Sequence, residues 1–268
     1  HQMSFLSKTQ PPNLNALAAQ IASQHRELGR ALKPLLVQRC ERYVTTDGPS
    51  LEMVRHARLM APRFEPVLIT GESGTGKELV ARILLNDRPD TQFFPVNCAG
   101  VPDGLFESIL FGHTKGSFTG ANFDHTGILV RARNGVVFFD EVGELPLNQQ
   151  AKLLRAFQER KVMPVGSTVE IPISCRFVFA TNRDLPKEVA AGRFREDLYW
   201  RMCALQLQTI PLRDRPNDAI IIADEFCASN DYPRPDSAIP DFVINSPGNV
   251  RALQAWIIQN AVLGDPAQ

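Results

Sequence analysis

Residues 71–77 read Gly-Glu-Ser-Gly-Thr-Gly-Lys, the spacing G-x-x-x-x-G-K. Glycines at that spacing let backbone N–H groups curl around phosphate oxygens at the positive end of a helix, and the lysine adds a point charge toward the outer phosphates. Gly71, Glu72, Ser73, Gly74, Thr75, Gly76 and Lys77 are therefore candidate nucleotide ligands, with Glu78 standing where a Ser or Thr ligand for Mg²⁺ usually follows. Asp140 and Glu141 come directly after the apolar run 136–139. An acidic pair leaving the C-terminal end of a buried strand is placed to hold Mg²⁺ and to polarise water. We assign Asp140 to the metal and Glu141 to general-base or water-positioning work. A helix cap or a surface acidic pair is the simpler alternative, but strand, spacing and phosphate loop agree on the chemistry.

Three further sets of polar residues could complete such a site. Thr181 and Asn182 end the next apolar run, 177–180, where they could sense a γ-phosphate or orient water. Arg193, Arg195 and Arg201 cluster in one segment. Such a run reads either as a solvated, salt-bridged helix face or as a source of arginine acting in trans on a transition state. Arg251 follows Pro247-Gly248-Asn249-Val250 and could reach the nucleotide or merely pair with a nearby acid. Between the phosphate loop and the acidic pair lies Gly116-Ser117-Phe118-Thr119-Gly120-Ala121. Its glycines permit tight turns around one apolar tip, Phe118, which suits a partner protein better than a core.

The elements that must position these residues alternate. Residues 66–70, 93–96, 136–139 and 176–180 read as strands, and 78–85 and 147–160 as helices. Apolar strands alternating with helices predict a parallel sheet covered on both faces. Beyond residue 211 helical stretches around 218–228 and 250–263 predict a smaller α-helical domain. Upstream, apolar residues at helical and partly heptad spacing over 13–39 predict a helix. It reads equally as a linker that pairs chains or relays a signal and as an amphipathic helix packed on its own domain. Gly48-Pro49 breaks that pattern.

Composition narrows the class. The chain has 268 residues, 44% hydrophobic and 22% charged, with Lys+Arg and Asp+Glu both 29. A net charge of zero gives no general field for nucleic acid or acidic membrane. No run approaches a transmembrane length. Five scattered cysteines without C-x-x-C spacing favour reduced thiols in a cytoplasmic protein over disulfides or zinc.

Taken in order, GESGTGKELVAR, FPVNCAG, ESILFGHTKGSFTGA, NGVVFFDEVGELPLNQQAKLLRAFQE, FVFATNRDL, GRFREDLYWRM, IPLRDRP and PGNVRAL closely resemble the AAA+ domain of bacterial enhancer-binding proteins, the activators of sigma-54 RNA polymerase. The resemblance runs from about residue 46 to 263. It implies a linker region over 1–45, a P-loop α/β subdomain over 46–211 and an α-helical lid over 212–268. It also accounts for Glu78, which the family carries after the lysine. By resemblance Lys77 binds phosphate, Asp140 and Glu141 carry the Walker B roles, and Asn97 holds the catalytic glutamate. Thr181 and Asn182 match sensor I, Arg195 and Arg201 the trans-acting fingers, and Arg251 sensor II. Fingers that act in trans imply a homo-oligomeric ring, a hexamer, with ATP and Mg²⁺ between subunits. Residues 116–121 match the loop that contacts sigma-54 while ATP turns over. DNA binding is expected only through a C-terminal domain absent from this chain. The chain departs from the family at Ser117 (usually alanine), Ile109 and Thr114 (usually glutamates) and Ser246 (usually tryptophan), and its lid segment is shorter. These departures leave open an ATPase of the same lineage acting on a different protein partner.

Overall fold

The computed structural model describes residues 43–85, 92–100, 103–235 and 237–263. The helix expected over 13–39 lies outside the described residues. In chain order the elements are α1 (Gly48–Met60), β1 (Val67–Thr70), α2 (Lys77–Ile83), β2 (Phe93–Asn97), α3 (Asp103–Phe111), β3 (Gly112–His113), β4 (His125–Thr126), α4 (Ile128–Arg131) and β5 (Val136–Asp140). Then come α5 (Leu147–Glu159), β6 (Lys161–Val162), β7 (Ile171–Pro172), β8 (Arg176–Thr181), α6 (Leu185–Ala190), α7 (Glu196–Met202) and β9 (Leu205–Gln208). Helices α8 (Asp218–Asn230), α9 (Asp241–Ile244) and α10 (Asn249–Leu263) complete the chain.

Five strands form one parallel sheet in the order β2-β5-β8-β1-β9. Because successive side chains alternate faces, the central apolar runs feed two cores. Leu68, Val137, Phe139, Phe177 and Phe179 pack with Phe106, Leu110, Leu153 and Phe157 on one side. Val67, Ile69, Phe138, Val178 and Ala180 pack with Met53, Ala57, Val80 and Ile83 on the other. Burying each such phenylalanine contributes roughly 2–3 kcal/mol, and the Phe139, Phe157, Phe177 and Phe179 rings lie against one another, with centroids 4.8 Å apart for Phe157 and Phe177. Buried Arg176 donates to the Met60, Ala61 and Glu65 carbonyls, so it caps the C-terminal end of α1 at the foot of the sheet. A third cluster, Leu212, Ala219, Ala223, Val243, Leu253 and Ile257, is the core of the C-terminal helices.

The structure adds elements that the sequence reading did not name, and two of them are instructive. β9 adds a fifth strand whose short Leu-Gln-Leu-Gln alternation buries only Leu207; an edge strand half in water lacks the continuous apolar run that marks its neighbours. Gly48-Pro49, read from the sequence as a break, opens α1. Asp47 accepts the Ser50 N–H at 2.9 Å and Pro49 occupies the first turn, where no N–H is needed.

Candidate functional site

The phosphate loop joins β1 to α2, as its strand–loop–helix context requires, and lines a cavity of about 300 Å³. Its lining combines the charged residues Lys77, Asp140, Glu141 and Arg251 with the more apolar Tyr43, Val44, Leu79 and Ile222. Lys77 is buried, and its Nζ donates to the Gly71 carbonyl at 2.9 Å and the Glu72 carbonyl at 3.2 Å. It also stands 3.5 Å from Glu141 Oε1. Glu141 Oε2 accepts the backbone N–H of Asn182 at 3.1 Å, so one carboxylate spans the ends of β5 and β8 and the phosphate-loop lysine.

Asp140 is the last residue of β5. Burial, reinforced by repulsion from Glu141, pushes its carboxyl above the ordinary carboxylate range, against the pull of Lys77. Asn97 lies in register with Asp140 on the neighbouring strand, but its side-chain oxygen accepts the Ala99 N–H at 3.0 Å. The glutamate is held by the Asn182 N–H and Lys77 in this structure. Thr181 is fully buried; its carbonyl accepts the Gly71 N–H and its Oγ1 the Arg183 N–H. That ties the end of β8 to the first residue of the phosphate loop. Glu78 lines the same cavity and pairs with Arg82 along the face of α2.

The lid reaches the loop directly. Arg251 Nη1 donates to Ser73 Oγ at 2.9 Å, Asn249 Nδ2 to the Ser73 carbonyl at 3.0 Å, and the Val250 N–H to the Gly74 carbonyl at 3.1 Å. Gly74 has φ +76°, and a Cβ there would fall 2.2 Å from the Gly248 carbonyl oxygen. Glu72 therefore serves the lid more than the phosphates: Arg213 binds it through both oxygens and Asn249 adds a third bond, lowering its pKa to about 2. Sequence reasoning missed Arg213, Arg215, Asp218 and Asn249. Leu-Arg-Asp-Arg was visible as a motif, but nothing local tells which of its arginines turn inward.

The arginine segment divides. Arg193 is bound to Glu188, and Arg195 pairs with Asp197 at 2.7 Å. Arg201 is exposed, makes no ion pair among the described residues, and lines an open cleft with Phe64, Arg160 and exposed Trp200. Neither Arg195 nor Arg201 lines the cavity of its own chain.

Residues 116–121 cap the β3–β4 hairpin. The Gly116 N–H donates to the Ala121 carbonyl at 2.8 Å, closing the loop, and Asp124 accepts the Lys115 N–H. Phe118 is 38% exposed and rests edge-on against His113 at 4.9 Å, which stacks on His125. Thr114 N–H donates to the Val165 carbonyl, and a Cβ on Gly166 would meet Ser117 Cβ at 2.6 Å, so the β6–β7 loop packs against the hairpin base. Asn97, beside Asp140, leads through residues 98–100 and α3 into this hairpin.

The sequence pattern described as the sigma-54 interaction domain matches residues 44–208. Over 188 residues the chain is 47% identical to the sigma-54-dependent transcriptional activator SfnR of Pseudomonas putida, covering 69% of this chain and 51% of that protein. It is 41% identical over 234 residues to the hydrogenase transcriptional regulatory protein HoxA of Cupriavidus necator, covering 83% and 48%. The chain thus spans about half the length of these curated relatives. Among solved structures, NtrX from Brucella abortus in complex with ATP is similar at TM-score 0.74 and 26% identity, covering 97% of this chain and 62% of that one. Its parallel sheet and lid have the AAA+ P-loop fold, and the chain belongs to the sigma-54 interaction domain family.

Proposed function

We propose that this chain is the ATP-hydrolysing module of a sigma-54 transcriptional activator, and that it couples hydrolysis to remodelling of the sigma-54 polymerase closed complex through residues 116–121. The observation that carries the reading is the Glu141 carboxylate, in the cavity with Lys77, contacting both Lys77 and the Asn182 N–H. The NtrX structure holding ATP, in a relative of the same fold, supports the choice of nucleotide.

The more apolar part of the cavity suits a purine, and the loop N–H groups with Lys77 suit its phosphates. To bind phosphate, Lys77 exchanges the Gly71 and Glu72 carbonyls for phosphate oxygens while its Glu141 contact keeps the carboxylate near the reacting end. Glu141, fixed by Asn182, accepts a proton from the attacking water. Mg²⁺ fits this donor set: it needs one or two carboxylates besides substrate phosphates, and the half-buried Asp140 carboxylate in the cavity would supply one. When bound, it neutralises charge on the phosphates. Arg251 and Ser73 bring the lid onto the same phosphate loop.

An exposed Arg201, without an ion pair among the described residues, supports transfer of that cation to a neighbouring subunit's nucleotide, and hence a homo-oligomeric ring, hexameric by family resemblance. Arg195 contributes once its pair with Asp197 opens. The run from Asn97 through α3 to the hairpin supports passage of nucleotide state to Phe118. Phosphate release and sigma-54 promoter opening, measured together, test the proposal. Hydrolysis without sigma-54 engagement would instead favour the alternative partner.

A further inference from the structure

Against the phosphate loop lies a buried ion pair that the catalytic reading does not use. Arg215 and Asp218 have side chains only 2% and 0% exposed, with Arg215 Nη1 3.3 Å from Asp218 Oδ2. Arg215 Nε donates to the Ile210 carbonyl at 3.1 Å and Nη2 to the Thr75 carbonyl, inside the phosphate loop, at 3.3 Å. The guanidinium also lies 5.3 Å from the centre of the Tyr43 ring, and both residues line the nucleotide cavity. Asp218, the first residue of lid helix α8, accepts Thr45 Oγ1 at 2.5 Å, the Thr46 N–H at 2.7 Å and Thr46 Oγ1 at 2.9 Å.

One carboxylate therefore joins three parts of the fold: the segment at residues 43–46, the lid, and the phosphate loop through Arg215. A buried pair of this kind adds little net stability over apolar residues of equal volume, yet removing one partner strands a charge. Its geometry is what it contributes. We propose that Arg215 is a positioning residue for the nucleotide, held by Asp218, and that this pair links nucleotide occupancy to docking of the segment at Thr45–Thr46. The proposal rests on the nucleotide reading of the cavity. Ordering the phosphate loop fixes the Thr75 carbonyl, which fixes Arg215 and Asp218. That in turn stabilises the Thr46 N–H bond 172 residues away in sequence. Linkage is reciprocal, so loosening the segment weakens the nucleotide by the same factor.

The test uses the whole chain with Mg·ADP as probe. Amide exchange at Thr46 is expected to slow by about tenfold on adding ADP, and by under about threefold in Asp218→Asn. Thr46→Val, which removes one hydroxyl from a half-buried site, should raise the ADP Kd by about threefold while shifting the Tm by under about 2 °C. A purely structural role predicts the reverse, a lowered Tm at unchanged Kd. Slowing at the Gly76 amide without slowing at Thr46, or an unchanged Kd in Thr46→Val, would overturn the linkage and leave the nucleotide site standing. Failure of the wild-type chain to bind ADP would overturn both. If Asp218→Asn does not fold, the Thr46→Val affinity decides.

Discussion

Glu141 holds a left-handed backbone conformation, φ 51° and ψ 46°, which costs a residue with a Cβ roughly 1–2 kcal/mol. Its neighbours repay that cost by fixing the carboxylate between Lys77 and the Asn182 N–H. Replacing Glu141 with Gln keeps the shape and removes the base, so nucleotide affinity should persist while phosphate release falls by about 10²–10⁴-fold; near-normal turnover would remove Glu141 from the site. Asp140 has the opposite character. Its carboxyl takes up protons more readily in the folded chain than in the unfolded one. Its cost to stability therefore grows as pH rises from the ordinary carboxylate range through the raised value. Asp140→Asn should thus melt no lower than wild type at neutral pH without nucleotide, yet lose Mg²⁺-dependent hydrolysis; calorimetry and phosphate release read the two effects. Both carboxylates were legible in the sequence because a chemical motif sits within a few residues of a strand end. Asp218 was not. Its partners Thr45 and Thr46 are more than 170 residues away, and sequence spacing carries no information on such a pairing.

At the scale of elements, the lid is latched onto the phosphate loop by Glu72, Ser73 and Gly74. The Glu72–Arg213 pair holds a folded-state pKa of about 2 against an ordinary value of 4.5. Its contribution is complete above the ordinary value and disappears as pH falls toward 2. The pair is largely exposed, so the contribution is small. Arg213→Gln should flatten that part of the acid stability curve, and an unchanged slope in a pH series of melts would contradict the latch. Gly74→Ala is a harsher probe, since its Cβ would collide with the Gly248 backbone at a positive φ. We expect it to cost about 2–3 kcal/mol or to push α10 off the loop, seen as a lower Tm and a weakened nucleotide affinity. The central strands were legible as continuous apolar runs, and α5, α8 and α10 by helical spacing. β9 was not, because an edge strand buries one residue in four. The opening of α1 was signalled by Asp47 and Pro49 but masked by reading Gly48-Pro49 only as a stop.

For the whole molecule, the site is divided between what one chain holds and what it offers outward. Lys77, Asp140, Glu141 and Arg251 share one cavity, whereas Arg201 faces an open cleft beside Arg160 and Trp200. Specific ATPase activity should therefore rise steeply with protein concentration, and Arg201→Ala should lower the plateau by about 10³-fold or more. A flat specific activity would point to a self-sufficient monomer. The fold and the nucleotide loop were readable because their signals are local. The division between cavity and outer face was not, because it depends on which arginines the fold pairs internally. Phe118 is exposed as well, on the β3–β4 hairpin that follows β2 and α3 along the chain. The most direct measurement is ATP hydrolysis and opening of a sigma-54-dependent promoter followed in the same reaction for wild type and Phe118→Ala. The account predicts hydrolysis within about twofold of wild type, with promoter opening reduced by about 10²-fold or more. Normal promoter opening by Phe118→Ala would contradict it.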